Sequence, residues 1–245
     1  MQDAHSKPQL ELELAHHVRA CACESCVVLL DLRRNRYLAI SKREALPLSK
    51  LIKGWPAFDA QPHNTDTPLP NHKTVQQLVA LELLIRPASE AAPEQAPETA
   101  LPTALQELDH DGTTARISAR RTFAFLTSSA SASWCLRHRS LWAIVCARIS
   151  RKQRLRGPGA ESIEAIQSAC AAYTALRPFF FSTQQQCLHD SLSLLGFLAT
   201  EGLSAQWVIG VKSNPFAAHS WVQRGDMVLN DQHERVRQFC PILVV

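Results

Sequence analysis

The sequence predicts an α+β fold from the order of its elements. Short strands come first, between His16 and Ser41, helices follow, and the last third combines a buried helix with an antiparallel hairpin. Strands and helices that are segregated along a chain, rather than alternating, are typical of α+β proteins. A chain of 245 residues with 46% hydrophobic residues is long enough for one large domain or two small ones.

Three strands are predicted near the N-terminus. They are the segments HHVRACA, CVVLLDL and RYLAIS, which begin at His16, Cys26 and Arg36. Each has alternating or continuous apolar residues, and a turn at Arg33 to Asn35 separates the last two. A three-stranded meander is therefore expected.

Two helices are predicted after these strands. Ser41 begins the first, which extends to about Ile52, and Glu44 completes a capping box. The second spans Lys73 to Arg86. Its apolar residues at helical spacing are Val75, Leu78, Val79 and Leu83. Strands followed by helices make residues 10–86 a winged-helix-sized domain.

Residues 87–104 are predicted to be an interdomain linker. Between Arg86 and Ala104 the chain has four prolines, six alanines, three glutamates and no aromatic residue. This composition provides little that a core can bury. Residues 105–245 are then expected to form a second domain.

The second domain is predicted to be helical as far as the turn before Cys187. Apolar residues recur at helical spacing over Ser133 to Arg151 and over Glu161 to Arg177, where Pro178 stops the helix. Further on, the segment QWVIGV predicts a buried strand that leads into a hairpin.

Cys187 begins an apolar run that predicts a buried helix ending at Gly202. The start of a helix presents N–H groups without intrahelical partners and a partial positive charge, and both favour a thiolate. The same position suits oxyanion binding. The N–H of Cys187 is predicted as one donor and the amide of Gln184 as the second, with Gln185 and Gln186 as alternatives.

His219 and Asp231 are predicted to complete a site with this cysteine from the hairpin. If the hairpin loop holds three residues, 224–226, His219 lies directly opposite Asp231 on one face of the sheet. A loop of two residues would turn Asp231 to the other face, so the chemistry predicts an odd-length loop. Asp226 and Asn230 are alternative partners for the histidine.

A thiol, an imidazole and a carboxylate in this order predict nucleophilic attack on a carbonyl. Cys187 would attack, His219 would move the proton, and Asp231 would hold the correct tautomer. His189 and Asp190 lie nearer to the cysteine in sequence, but their helical positions direct them away from it, and His189 is expected at the surface.

The segments CLHDSLSLLGFLATEG, WVIGV, PFAAHSWVQ and VLND resemble the B proteins of lasso-peptide biosynthesis. These are leader peptidases with a transglutaminase-like, papain-like cysteine-protease fold. The resemblance covers about residues 177–245 and places Cys187, His219 and Asp231 where the family has its nucleophile, base and orienting carboxylate. It implies a C-terminal domain with helices packed on an antiparallel sheet. For the N-terminal domain it implies a winged-helix-like leader-recognition fold of three strands and three helices.

The resemblance also implies a division of labour. The N-terminal domain would bind the leader of a ribosomal precursor peptide as an added strand. The implied leader-binding residues are Arg36, Tyr37, Leu38, Ala39 and Ile40 on the third strand and Val75, Leu78 and Val79 on the following helix. The C-terminal domain would cut between leader and core for a partner, an asparagine-synthetase-like macrolactam synthetase that uses ATP. No P-loop is present, and no cofactor is expected on this chain.

Charge and hydropathy argue against other classes of function. The net charge is +4, and residues 113–160 hold ten Lys or Arg residues and no carboxylate. This segment could bind an acidic partner, but without an RNA-binding or zinc-finger signature it is expected to be solvated surface, and no nucleic acid is expected. The first twenty residues lack the apolar run of a signal peptide or membrane span, so a cytoplasmic location with reduced cysteines is expected.

A cluster of cysteines near the N-terminus could suggest a metal site. Cys21, Cys23 and Cys26 lie close to His16 and His17. Their spacing lacks the second pair that zinc sites have, so they are predicted to pack within a pair of strands, and no metal is expected.

Two other functions stay open. The same three residues on this fold also serve acyl transfer to an amine, as in transglutaminases and arylamine acetyltransferases. A peptide-binding adapter with an inactive triad is the second alternative. Cys187→Ala discriminates between the adapter and an enzyme.

Overall fold

The computed structural model describes residues 12–58, 71–86, 104, 106–108, 116–154, 162–179 and 186–245. Contacts between Cα atoms divide the chain into two compact units, one of residues 1–31 and 36–97 and the other of residues 32–35 and 98–245. The predicted α+β class is confirmed. The predicted linker lies outside the described residues, apart from Ala104.

The first unit contains two small sheets. Its strands are β1 (Leu12–Leu14), β2 (Val18–Ala22), β3 (Cys26–Asp31), β4 (Arg36–Ser41), β5 (Ile52–Lys53) and β6 (Leu84–Ile85). Strands β2, β3 and β4 form the predicted antiparallel meander, in which Val28 pairs with Cys21 on one side and with Ala39 on the other. All six residues of β3 are buried, which explains its continuous apolar sequence.

The second small sheet of this unit has the order β5-β1-β6 and was not predicted. Leu12 pairs with Ile52 in parallel, and Leu14 pairs with Leu84 antiparallel. Each of these strands has two or three residues, too few to show a period in the sequence. Long-range pairing, rather than a local pattern, determines them.

Both helices predicted for this unit are shorter than expected. The first is helix α1 (Lys42–Ala45) followed by a 3-10 turn (Leu46–Lys50), because Pro47 lacks the N–H that an α-helix needs. The second is α2 (His72–Ala80). It ends where Glu82 adopts a left-handed conformation and the N–H of Leu83 donates to the carbonyl of Leu78.

The second unit packs helices against one five-stranded sheet. Its helices are α3 (Ala119–His138), α4 (Leu141–Arg154), α5 (Ile163–Leu176), α6 (Cys187–Thr200) and α7 (His233–Val236). Its strands are β7 (Gln106–Glu107), β8 (Gln206–Ser213), β9 (Phe216–Arg224), β10 (Met227–Val228) and β11 (Cys240–Val244), in the order β11-β8-β9-β10-β7. No helix in the described part of the chain is both long enough and apolar enough to cross a membrane.

The single helix predicted over Ser133 to Arg151 is wrong. Two helices meet there, because Ser140 accepts a hydrogen bond from the N–H of Ala143 at 3.2 Å and so caps the start of α4. The helix predicted over 161–177 is α5, and Gly202 follows α6 with a positive φ of 76°, as a helix end predicts.

Helix α6 is the centre of the second unit. Every residue from Asp190 to Leu195 is buried. A Cβ added to Gly196 would lie 3.1 Å from the side chain of Ser128 on α3, so glycine allows a close approach of these two helices. On another side, α6 packs against strand β9.

Candidate active site

Cys187 is the first residue of α6 and is partly buried. Burial raises the pKa of its thiol, but hydrogen bonding to His219, the charge of that ring, and the N–H groups of Ser220 and Leu188 outweigh burial and lower the pKa overall. The N–H of Leu188 belongs to the first turn of the helix, whose donors have no intrahelical acceptors. The cysteine is therefore in a setting that favours a thiolate.

His219 lies on β9 with 6% of its surface exposed. Its ring contacts the rings of Trp221 and Phe239, at 6.2 and 5.3 Å between ring centroids. Burial lowers the pKa of the imidazole, but hydrogen bonds to Asp231 and Cys187 and their negative charges raise it to about 9. A thiolate beside an imidazolium is the charge state that this arrangement favours.

Asp231 completes the group of three. Its Oδ2 lies 2.5 Å from Nε2 of His219, so Nδ1 is the ring nitrogen left for the thiol of Cys187. Burial raises the pKa of this carboxyl, but the bonds and charge of His219, the N–H of Gln232 and the charge of Arg235 lower it overall. The carboxylate thus holds one tautomer of the ring.

The predicted odd-length hairpin loop is wrong. Arg224 pairs with Met227 and Gln223 with Val228, which leaves a loop of two residues, Gly225 and Asp226. Strand β10 ends at Val228, so the pairing of β9 with β10 does not determine the face on which Asp231 lies. The chain leaves the ladder before Asp231, and that departure brings its carboxylate to His219.

The alternative partners named for the histidine have other roles. Asp226 lies in the loop, where its carbonyl accepts a hydrogen bond from the N–H of Gln106. Asn230 accepts from the N–H of Val222 and donates to Asp190, at 2.8 Å in both cases. Of the three residues considered as the orienting partner, Asp231, Asp226 and Asn230, it is Asp231 that bonds to His219.

His189, which was expected at the surface, is half-buried. Its Nε2 lies 2.9 Å from the hydroxyl of Ser133 and 3.1 Å from the carbonyl of Ser129, both on α3. The ring is therefore used in packing α6 against α3.

Two buried polar groups of the site were not predicted. A chain of hydrogen bonds runs from Nε1 of Trp207 to the hydroxyl of Ser220 (2.9 Å), on to that of Ser191 (3.0 Å), and then to the carbonyl of Cys187 (2.8 Å). It ties the first turn of α6 to β8 and β9. No pattern in the sequence indicates it, because the serines lie 29 residues apart.

The second group surrounds Asp190, whose exposure is 2%. Its carboxylate accepts hydrogen bonds from Tyr173 (3.0 Å), Asn230 (2.8 Å) and Arg177 (3.5 Å). Burial raises the pKa of Asp190, and these partners only partly offset that effect. The position of Asp190 one turn after Cys187 was its only signal in the sequence.

A cavity of about 250 Å³ opens beside these residues. Cys187, His219 and Asp231 line it together with Asp190, Arg177 and Arg235. Its volume lies just below the range typical of ligand pockets, which begins at about 300 Å³. The nucleophile is thus accessible from a polar cavity rather than closed within the core.

The remaining predicted oxyanion donor, Gln184, lies outside the described residues. Gln186 is the residue before α6, is exposed, and makes no capping hydrogen bond through its side chain. At the start of α6, the N–H of Leu188 lies near the thiol, and the predicted oxyanion role of the Cys187 N–H stays a prediction.

The predicted leader-binding residues lie on β4 and α2 of the first unit. Strand β4 is at the edge of its sheet, where it pairs with β3. Leu38 is 37% exposed and Val79 is 46% exposed, whereas Ile40 and Leu78 are buried in the core of this unit. Leu78 therefore packs inside the domain rather than at its surface.

Cys21, Cys23 and Cys26 are buried beside the turn between β2 and β3, as the packing interpretation predicts. Among the described residues, no group of three or more His, Cys, Asp or Glu side chains could hold a metal ion. In the basic segment, Arg121 pairs with Glu201 at 3.1 Å and Arg148 donates to the carbonyl of Leu192 at 3.2 Å. These two arginines have structural roles instead of facing solvent.

Residues 126–244 match the transglutaminase-like superfamily. The C-terminal region is transglutaminase-like. It contains Cys187, His219 and Asp231, and it extends from the middle of α3 through β11.

A segment of 48 residues is 42% identical to the microcin J25-processing protein McjB of Escherichia coli. The segment is 20% of this chain and 23% of that relative, so the match spans less than a quarter of its length. No solved structure matches the chain significantly. The two matches support the resemblance to lasso-peptide B proteins that the sequence predicted.

Proposed function

We propose that this chain is the leader peptidase of a lasso-peptide pathway, which binds a precursor's leader and hydrolyses the bond between leader and core. The observation that carries the proposal is the convergence of Cys187, His219 and Asp231, with the pKa of the thiol lowered and that of the imidazole raised to about 9. The similarity of one segment to a microcin-processing protein supports the choice of substrate class.

The proposed reaction proceeds through a thioester. The Cys187 thiolate attacks the carbonyl carbon of the last leader residue, and N–H groups at the start of α6 stabilise the oxyanion. His219 then gives its proton to the departing α-amine of the core as the C–N bond breaks. Water, deprotonated by the same ring, hydrolyses the thioester and releases the leader as a carboxylate.

Leader recognition is proposed for the first unit. An extended leader would add to the edge of β4, with backbone hydrogen bonds providing affinity. The exposed side chains of Leu38 and Val79 would contact the leader's apolar residues. Leu38→Asp and Val79→Asp should weaken leader binding, because each puts a charge in an apolar contact, without changing the thermal unfolding of the domain.

The partners belong to the proposal as well. The cleavage product has a free α-amine, which is the nucleophile that a macrolactam synthetase needs. We therefore propose an asparagine-synthetase-like, ATP-using partner, with ATP bound by the partner rather than by this chain. A cytoplasmic location stays a prediction.

The test uses the purified protein, a candidate precursor peptide sought among the genes beside its own, the partner synthetase sought there too, and ATP, with mass spectrometry of the products. Two fragments that sum to the precursor plus one water are expected. Cys187→Ala should abolish cleavage and leave leader binding intact. Unchanged processing by this variant would refute the proposal and favour an adapter.

Cys170 provides a matched control for the nucleophile. It is 1% exposed, and burial raises the pKa of its thiol to about 12. Iodoacetamide at neutral pH should therefore modify Cys187 and leave Cys170 unmodified, which peptide mapping will measure. Cys170→Ala should retain cleavage.

Acyl transfer to an amine is a second candidate, because the C-terminal region matches the transglutaminase-like superfamily. The thioester would form in the same way, and an amine would replace water as the acceptor. A product heavier than the leader by the mass of the amine minus water would favour this function over hydrolysis.

A further inference from the structure

Asn230 lies where the chain leaves the ladder between β9 and β10. The N–H of Leu229 donates to the carbonyl of Val222 at 2.9 Å. In a regular antiparallel ladder the N–H of Val222 would donate back to the carbonyl of Leu229. It donates instead to Oδ1 of Asn230 at 2.8 Å, so a side-chain amide replaces the backbone acceptor.

This replacement has a consequence for Asp231. With the two-residue loop, a continued ladder would pair Asp231 with Ser220, and its side chain would point to the face opposite His219. The observed contact of 2.5 Å between Asp231 and His219 requires the backbone to turn out of the ladder first. Asn230 satisfies the N–H that this turn would otherwise leave unbonded.

The amide nitrogen of Asn230 bonds to α6, the helix that begins with Cys187. Nδ2 of Asn230 donates to Oδ2 of Asp190 at 2.8 Å. Asp190 is itself fixed by Tyr173 and Arg177, and it lies one turn after Cys187 on α6. A carboxylate with 2% exposure is costly unless it is paired, so its partners hold it in one place.

We propose that Asn230 is a positioning residue, which turns the Asp231 carboxylate toward His219 and, through Asp190, fixes it relative to the helix of Cys187. The inference rests on the proposed use of these three residues as a catalytic group. It assigns no contact with substrate to Asn230. Its effect should reach Cys187 through the charge state of His219.

The experiment measures that charge state without a substrate. The rate at which iodoacetamide modifies Cys187 is followed against pH by peptide mapping, and the titration of His219 is followed by NMR with His219→Gln for assignment. Asn230→Leu keeps the size of the side chain and removes both hydrogen bonds. Its thiol reactivity at pH 6 should fall roughly tenfold, because the midpoint of thiolate formation moves up by about one pH unit. The midpoint of His219 should fall below about 9.

A second pair of variants tests the link to Asp190. Asn230→Asp keeps the acceptor for Val222 but places a carboxylate against Asp190, so it should lower reactivity as well. Adding Asp190→Asn restores one donor and one acceptor between the two side chains. The double variant should therefore regain most of the lost thiol reactivity, since the effects of mutations within one hydrogen-bond network are not additive. Glu164→Gln is the matched control: this exposed carboxylate bonds to Ser162, outside the site, and its variant should behave as the wild type.

Three results would overturn the inference. The first is an Asn230→Leu protein that melts earlier but keeps the wild-type pH profile of Cys187, which would make Asn230 structural only. The second is a double variant whose thiol reactivity does not recover. This result also decides the question if Asn230→Leu does not fold. The third is an ordinary thiol pKa in the wild type, which would remove the proposed nucleophile itself and thus identify a failure of the proposed function.

Discussion

Gly210→Ala should disturb the candidate site without changing any residue that forms it. Gly210 on β8 lies opposite His219 in the sheet. A Cβ at this position would lie 2.7 and 2.8 Å from ring carbons of Trp221 and 2.8 Å from the Cβ of Phe239. Ordinary contact begins at 3.4 Å, so these neighbours must move by about 0.6 to 0.7 Å.

The expected cost follows from this geometry. Overpacking of a buried site costs about 1–3 kcal/mol in the free energy of unfolding. Trp221 and Phe239 are also the rings that flank His219, so their movement shifts the imidazole relative to Cys187. A displacement approaching 1 Å lowers a reaction rate by about 10²-fold.

Urea unfolding and the initial rate of precursor cleavage measure the two effects of Gly210→Ala. Gly196→Ala on α6 is the matched control. Its Cβ would lie 3.1 Å from Ser128, a tight contact, and the gain in helix propensity of about 1 kcal/mol offsets the strain. If Gly210→Ala kept both the wild-type unfolding free energy and the wild-type rate, the reasoning about this packing would be refuted.

Three further predictions concern protons and buried hydrogen bonds. Cleavage should decline as the pH rises past about 9, because His219 then loses the proton that it gives to the leaving amine; a cleavage rate that kept rising in a pH series would contradict this. The protonated His219 also stabilises the fold. That contribution is full below the ordinary pKa of about 6.5 and is lost as the pH rises through about 9. Tyr173→Phe should lower the free energy of unfolding by about 1.5–3 kcal/mol in urea titrations, because the buried Asp190 carboxylate loses a donor; an unchanged midpoint would argue against the bond. Ser220→Ala should cost about 1–3 kcal/mol in the same assay by leaving the buried Nε1 of Trp207 without its acceptor, and Ser220→Thr, which keeps the hydroxyl, should cost less.

Local sequence patterns predicted the elements that carry the site. The segment RYLAIS became β4 with the predicted bounds, and Cys187 became the first residue of its helix. Both depend on residues that are adjacent in the chain. A strand of six residues or a helix of fourteen shows its period clearly enough to be recognised.

The parts that the sequence did not predict depend on single long-range contacts. The hairpin loop has two residues rather than three, and Asp231 reaches His219 because the amide of Asn230 takes the place of a backbone acceptor. The Asp190 cluster joins residues that lie 17 and 40 positions apart. Neither contact has a periodic signature, so the sequence predicted which three side chains meet but not the backbone path that positions them.

Strand β7 sets a limit on where the chain can be shortened. Gln106 and Glu107 pair in parallel with β10, the strand that leads to Asn230 and Asp231, and Ala104 is buried in the same hydrophobic cluster as Trp221 and Val228. A fragment intended to carry the second unit alone should therefore begin upstream of Ala104. A chain that began at residue 105 would lack Ala104 from the hydrophobic cluster beside β10. The position of Asp231, which follows β10, would then be less well fixed, even though every residue that contacts the thiol would still be present.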